Sequence, residues 1–222
     1  MLNIKEKLLF IAPSWIKNIM ISTYGLIEQR KRHGRFFHQR YQSLSLLRQA
    51  SPEEILAYQC ERLRELLTEA LTFSPWYRAL LEQCGISANT LASEAPLAIL
   101  ERLPLLEKDT LKTRTQEVMS ANPARQAFAM VNTSGTSGSP MEIVFDADGR
   151  QATYAEWRRY HDWLGLPKHF RSVRFSGRII VAPTASNPPF WAHNWIEQQL
   201  FMSTYHLKNE YLPAYVAKLN AF

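Results

Sequence analysis

Residues 131–145 read VNTSGTSGSPMEIVF. Positions 133–140 are all Thr, Ser, Gly or Pro, and apolar residues resume on either side. Residues 126–131 and 141–145 have the apolar, β-branched and aromatic content of strands, so the stretch predicts two strands joined by an uncharged, hydroxyl-rich loop. Two readings fit such a loop. One is a plain Ser/Gly hairpin connection, which composition and spacing alone favour. The other is a phosphate cradle. Gly135 and Gly138 let backbone N–H groups approach an anion with no Cβ in the way. Thr133, Ser134, Thr136, Ser137 and Ser139 add hydroxyl donors. The loop is not a Walker A sequence, because the second glycine, counted from Gly135, falls on Pro140. Nor is it the dinucleotide pattern GxGxxG.

Upstream, residues 1 to about 85 read as helical. Ser51-Pro52-Glu53-Glu54 is a capping box with proline at the first helical position. The helix it opens carries Ile55, Leu56, Tyr58, Leu63, Leu66, Leu67 and Leu71, mostly at spacings of three and four. Ser74-Pro75 starts another helix, closed by Gly85. Residues 86–106 read as loop, and 107–119 as a short helix and its exit. Downstream of the hydroxyl-rich loop, 146–149 read as a turn and 150–164 as a helix with Tyr154, Trp157, Tyr160 and Trp163 inward. Residues 178–182 read as a short buried strand, and 190–204 are ambiguous between helix and strand. Residues 208–222 form a last helix with Leu212, Tyr215, Val216, Leu219 and Phe222 inward. The expected class is α/β: a helical lead-in over 1–125, then an incomplete mixed sheet flanked by helices over 126–222. Three or four strands make a thin sheet for 222 residues, so the sequence reads as part of a larger domain.

Composition narrows the class. The chain is 46% hydrophobic and 21% charged, enough to build a core. Its net charge is +6. Residues 1–50 hold nine basic side chains against Glu6 and Glu28, a surplus of seven, so the excess belongs to that segment. No zinc-finger, helix-turn-helix or RNA-recognition signature accompanies it, so no nucleic-acid partner is expected. The basic segment reads as a solvated helix face or one beside an anionic membrane surface. Its apolar run is too short and too polar to cross a bilayer and lacks a cleavage site. Trp15, Ile16, Ile19 and Met20 can share a face, which either packs on the protein's own body or makes a peripheral membrane contact through residues 1–35. Cys60 and Cys84 form no CxxC, which fits a reducing cytoplasm. His33, His38, His161, His169 and His193 show no metal-ligand spacing, so no metal site is assigned.

VNTSGTSGSPMEI resembles the phosphate loop of the adenylate-forming superfamily, Thr/Ser-Ser-Gly-Thr-Thr-Gly-x-Pro, with Ser137 as a conservative change. FSPWYRALL (73–81), LPLLEKDTLK (103–112), SGRIIVAP (176–183), NPPFWAHN (187–194) and STYHLKNEYLPAYVAKL (203–219) are similar to the phenylacetate–CoA ligase-like family. With YGLIEQRKRHG (24–34) they most resemble its capsular polysaccharide biosynthesis branch. The resemblance implies a cytoplasmic enzyme that activates a small-molecule carboxylate with ATP and Mg²⁺, with coenzyme A as a possible acceptor. Residues 133–139 would hold the nucleotide's phosphates. The chain departs from the pattern at Met141, where many members have lysine, and at Ser176, where glycine is common. The family's later adenine, ribose and lysine motifs have no counterpart here. The resemblance therefore implies the N-terminal portion of such an enzyme, not competent alone.

Three further residues carry two readings each. Arg178 reaches a substrate carboxylate or phosphate, or makes an ordinary ion pair. Trp191, in Pro188-Pro189-Phe190-Trp191, lines an acyl pocket or packs in the core. Tyr205, beside His206, enters a pocket or packs, with the histidine as a helix cap. Two other classes compete with the ligase: a shortened, non-catalytic relative acting as an interaction module, and a basic peripheral membrane protein.

Overall fold

The computed structural model describes residues 12–124, 127–133, 141–177 and 179–222. The chain is α/β, with helices and a small mixed three-stranded sheet. It divides into two compact units, one formed by residues 1–34 with 157–222, the other by 35–156.

In the 35–156 unit, local capping signals set the helices. Helix α2 spans Arg35–Leu46 and α3 spans Pro52–Phe73. Ser51 Oγ accepts from the Glu54 N–H, and the Glu54 carboxylate accepts from the Ser51 N–H, which closes the expected capping box. Ser74 caps α4 (Pro75–Gln83) and also donates from Oγ to the Val118 carbonyl at 2.9 Å. Gly85 ends that helix with φ +69°, a conformation that favours glycine.

Residues 86–106, expected as loop, contain two short helices, α5 (Ala88–Ser93) and α6 (Pro96–Glu101). Ser87 and Thr90 form a second capping box, with threonine in the usual Glu/Gln position, and Pro96 sits at a helix start, where proline is tolerated. Two more short helices, α7 (Lys108–Thr113) and α8 (Thr115–Val118), fill the stretch expected as one. Leu67, Leu81, Ile86, Leu91 and Ile99 form the buried cluster. Of the α3 residues expected inward, Ile55, Leu56 and Leu66 are exposed, because α3 meets the cluster along the side that carries Leu63, Leu67, Ala70 and Leu71.

Strands β1 (Ala127–Asn132) and β2 (Glu142–Asp146) form the expected antiparallel hairpin. The residues read as a turn at 146–149 instead start helix α9 (Ala147–Trp163). The Asp146 carboxylate accepts from the Gly149 N–H, as an N-cap does, so Asp-x-x-Gly is here a helix start. Ala155 of α9 is buried against Phe37 and Leu44, and Tyr154, expected inward, packs beside them half-buried. Trp157, Tyr160 and Trp163, expected inward, are exposed and contact one another's rings. Trp157, Tyr160 and Trp163 fall on the faces turned away from that cluster.

In the other unit, β3 (Ser172–Ser176) runs parallel to β5 (Gln199–Ser203), which is antiparallel to β4 (Trp191–Asn194), in the order β3-β5-β4. The ambiguous 190–204 stretch is thus a hairpin. The strand expected at 178–182 is displaced to Ser172–Ser176. Ile180 and Val181 are buried without joining a ladder, because burial requires only apolar neighbours. Helix α10 (Leu212–Asn220) turns Tyr215 into this core with Phe190, Leu200 and Met202, while Leu212 and Val216 face out.

Helix α1 (Ser14–Arg32) packs on β4 with its polar side. Asn18 Oδ1 accepts from the His193 N–H at 2.8 Å, and Ser22 Oγ accepts from the Trp195 N–H at 3.0 Å. Ser22, Gly25 and Glu28 are buried, whereas Trp15 and Ile19 are exposed. Of the four residues expected to share a packing face, Trp15 and Ile19 are exposed and Ile16 and Met20 half-buried, so the contact with β4 is made by the polar side instead. The edge of β4 carries backbone donors, and only polar side chains can accept from them.

Gly25 is fixed by contact. A Cβ there would collide with the Asn194 amide, standing 2.9 Å from Oδ1 and closer still to Nδ2. Asn194 cannot give way easily, because its amide bridges Glu197, donating to Oε2 at 2.9 Å and accepting from the N–H at 3.2 Å. Gly25→Ala is expected to lower stability by about 1–3 kcal/mol, the range for overpacking, read as a shift of the urea midpoint. Thr23→Ala, on the outward side of the same helix, is the control and should leave stability within about 0.5 kcal/mol of the parent chain.

Candidate functional site

The hydroxyl-rich loop is carried by the β1–β2 hairpin, and its two ends are tied directly together. The Thr133 N–H donates to the Met141 carbonyl at 2.9 Å, and the Met141 N–H donates to Thr133 Oγ1 at 3.0 Å. Thr133 is half-buried and continues the hairpin ladder by one side-chain bond. Its hydroxyl accepts here, so its proton can still go to an oxygen of a ligand. Residues 134–140 lie outside the described residues, so the expected roles of Ser134, Gly135, Thr136, Ser137, Gly138 and Ser139 stand on the sequence. What the hairpin supplies is a loop whose ends are held at a fixed separation, which lowers the cost of ordering it around a ligand.

Arg178 also lies outside the described residues. Trp191 and Tyr205 belong to the other unit. Trp191 opens β4, paired with Met202, and its half-buried ring meets Tyr215 edge-on at 5.9 Å between centroids. One side of the indole is therefore spent on the core. Tyr205 is half-exposed, and its hydroxyl stands 4.0 Å from where a Cβ on Gly177 would be. The phenol thus lies over the Gly177 backbone.

The adjacent His206 is the more constrained residue. Its ring stacks on Phe190 with centroids 4.5 Å apart. Its Nε2 lies 3.1 Å from the Ala182 carbonyl, which can only accept, so Nε2 carries a proton. In the neutral ring Nδ1 then accepts from the Ser203 hydroxyl at 2.9 Å. Tyr215 donates its hydroxyl to the Ser203 carbonyl at 2.7 Å. A Ser–His pair can generate a nucleophile, but Ser203 and His206 are both buried, so no substrate carbonyl has access. The group positions instead: it joins β5, the 182 segment and α10. The sequence signal for it is the Tyr-His pair at a strand end before a helix. The packing role falls to the histidine, and the exposed position to the tyrosine.

Nearby, burial and the positive charge of Lys218 hold the His193 imidazole below its usual pKa. Its ring also meets Phe222 edge-on, at 5.1 Å. Cys60 and Cys84 are free thiols, each half-buried. Among the described residues, no three His, Cys, Asp or Glu side chains gather to hold a metal ion, and no helix is long and apolar enough to cross a membrane.

No protein-family model matches the chain. It is similar to Protein CapK of Staphylococcus aureus, with 23% identity over 211 residues. The match covers 95% of this chain and 44% of that protein, so the chain spans less than half the length of the curated relative it matches.

Tyr215 gives the core a measurable pH dependence. Burial pushes its phenol up from 10.0 to about 12. The folded state thus keeps the proton longer than the unfolded chain. The associated stability is fully present below pH 10 and is lost as pH rises toward about 12, by roughly 3 kcal/mol for a shift of this size. Urea midpoints measured across about pH 8–12 should fall once the pH passes the ordinary phenol value. Tyr215→Phe should cost about 1–3 kcal/mol at neutral pH, because the Ser203 carbonyl is left unpaired, and should flatten the alkaline limb.

Proposed function

We propose that this chain is the phosphate-binding portion of an ATP-dependent carboxylate-activating ligase related to the capsular polysaccharide branch of phenylacetate–CoA ligase-like enzymes. The observation that carries the reading is the loop at 133–140 on a hairpin whose ends are clamped by the reciprocal Thr133–Met141 bonds. The resemblance of the flanking segments and the similarity to Protein CapK support it.

The chemistry asked of the loop is positioning and charge stabilisation. In adenylation a carboxylate oxygen attacks the α-phosphorus of ATP. The bond from that phosphorus to the bridging oxygen breaks, and pyrophosphate leaves with the electron pair, giving acyl-adenylate. A thiol acceptor can then attack the acyl carbon and release AMP. In this scheme the backbone N–H groups of Gly135 and Gly138 and the hydroxyls of Thr133, Ser134, Thr136, Ser137 and Ser139 hold the β- and γ-phosphates. With Met141 in place of a lysine, the loop adds no cation of its own. It also lacks any carboxylate, so these residues do not build a Mg²⁺ site, and the ion would come with the nucleotide's phosphates.

Calorimetric titration of the chain with ATP and Mg²⁺ tests the reading. Saturable binding is expected, weakened at least tenfold by the double variant Thr136→Ala, Ser137→Ala. The circular dichroism spectrum should not change. Absence of binding, or equal binding by the variant, would overturn the proposal.

A further inference from the structure

Helix α1 presents an apolar face to solvent. Its polar side is committed to β4 through Asn18, Ser22 and Gly25. On the opposite side Trp15 is 62% exposed, Ile19 46% and Ile27 48%, and Tyr24 stands beside them at 59%. Residues 15, 19, 23 and 27 recur every four positions, so Trp15, Ile19 and Ile27, with Thr23 between them, form a stripe about 18 Å long at about 1.5 Å per residue. A helix that packs on its own fold normally hides such a stripe.

The charges along the helix are as one-sided as its faces. Its sole acid, Glu28, is buried and neutralised from within, with Lys31 Nζ at 3.4 Å and Arg32 at 3.9 Å. Arg32 is also paired with Glu197 at 2.7 Å. The outward side therefore carries no acid, and Arg30 stands exposed where the stripe ends, while Lys31 is taken up by Glu28. A second copy or another folded protein would need only apolar complementarity. A largely apolar stripe that begins at Trp15, is flanked by Tyr24, ends beside Arg30 and is free of acids fits the boundary between acyl chains and anionic headgroups.

We infer that α1 is a peripheral membrane-binding helix whose outward face, Trp15, Ile19, Tyr24 and Ile27 with Arg30, docks on an anionic lipid surface. The helix lies in the plane of the interface, held at depth by the polar contacts of its other side with β4. The inference does not depend on the ligase reading and concerns a different surface.

The test is co-sedimentation of the full chain with vesicles of phosphatidylcholine alone and of phosphatidylcholine with about 30% phosphatidylglycerol, at about 50 and 500 mM salt, bracketing the range over which exposed charges become screened. Binding to the anionic vesicles is expected, at least tenfold weaker in high salt and on neutral vesicles. Ile19→Glu should reduce it at least tenfold, and Arg30→Glu several-fold. Both side chains face solvent, so the urea midpoints should stay unchanged and separate lost binding from lost folding. Trp15→Phe should remove most of the lipid-induced blue shift in emission. Failure to bind anionic vesicles, or equal binding by Ile19→Glu, would overturn the inference. So would concentration-dependent dimerisation abolished by Ile19→Glu in the absence of lipid, which would assign the stripe to a second copy.

Discussion

Two backbone N–H groups, His193 on β4 and Trp195 just past its end, take their acceptors from Asn18 and Ser22 of α1. Much of the 1–34/157–222 unit follows from that exchange. An unpaired buried donor costs about 1–3 kcal/mol, so the helix is committed to its polar side. Gly25 then has to be a glycine, because Asn194 lies where its Cβ would be. Asn194 in turn holds the β4–β5 turn through Glu197. The same commitment leaves the apolar side of α1 facing out, so a requirement of strand edges becomes a property of the protein surface.

On the other side of the sheet the arrangement is conventional: Leu200 and Met202 alternate inward and meet Phe190 and Tyr215. The polar side chains described there are paired. Ser203 takes a bond from Tyr215 at its carbonyl and engages His206 at its hydroxyl, while His206 reaches the Ala182 carbonyl. Satisfied polar groups of this kind fix one packing out of several, since a rearranged core would strand at least one of them.

Features written in a few adjacent residues were legible in the sequence. The Ser51–Glu54 box, the Ser74-Pro75 start, the Gly85 stop and the two strands around the hydroxyl-rich loop all depend on neighbours, and all are present. Features that depend on a distant partner were not legible. Nothing local marks Asn18 and Ser22 as acceptors for a strand at the far end of the chain. Hydrophobic periodicity presumes that the apolar side goes inward, so it reversed α1 and the aromatic face of α9. The run at 178–182 has a strand's composition, yet the ladder formed at Ser172–Ser176, whose Val173 and Phe175 are exposed. For the candidate site, composition revealed the loop, but not that Thr133 anchors it to Met141.

That anchor bears on the chemistry. A glycine-rich loop is costly to order, and fixing its ends removes part of that cost before any ligand arrives. In the proposed cradle the hairpin would supply rigidity and the loop the donors. The most direct measurement is an amide-resolved NMR titration with ATP and Mg²⁺, with adenosine as control. If the loop cradles phosphates, the Gly135 and Gly138 amides shift with ATP and not with adenosine, while amides of α3 and α4 stay still. Unmoved glycine amides at saturating ATP would contradict the account.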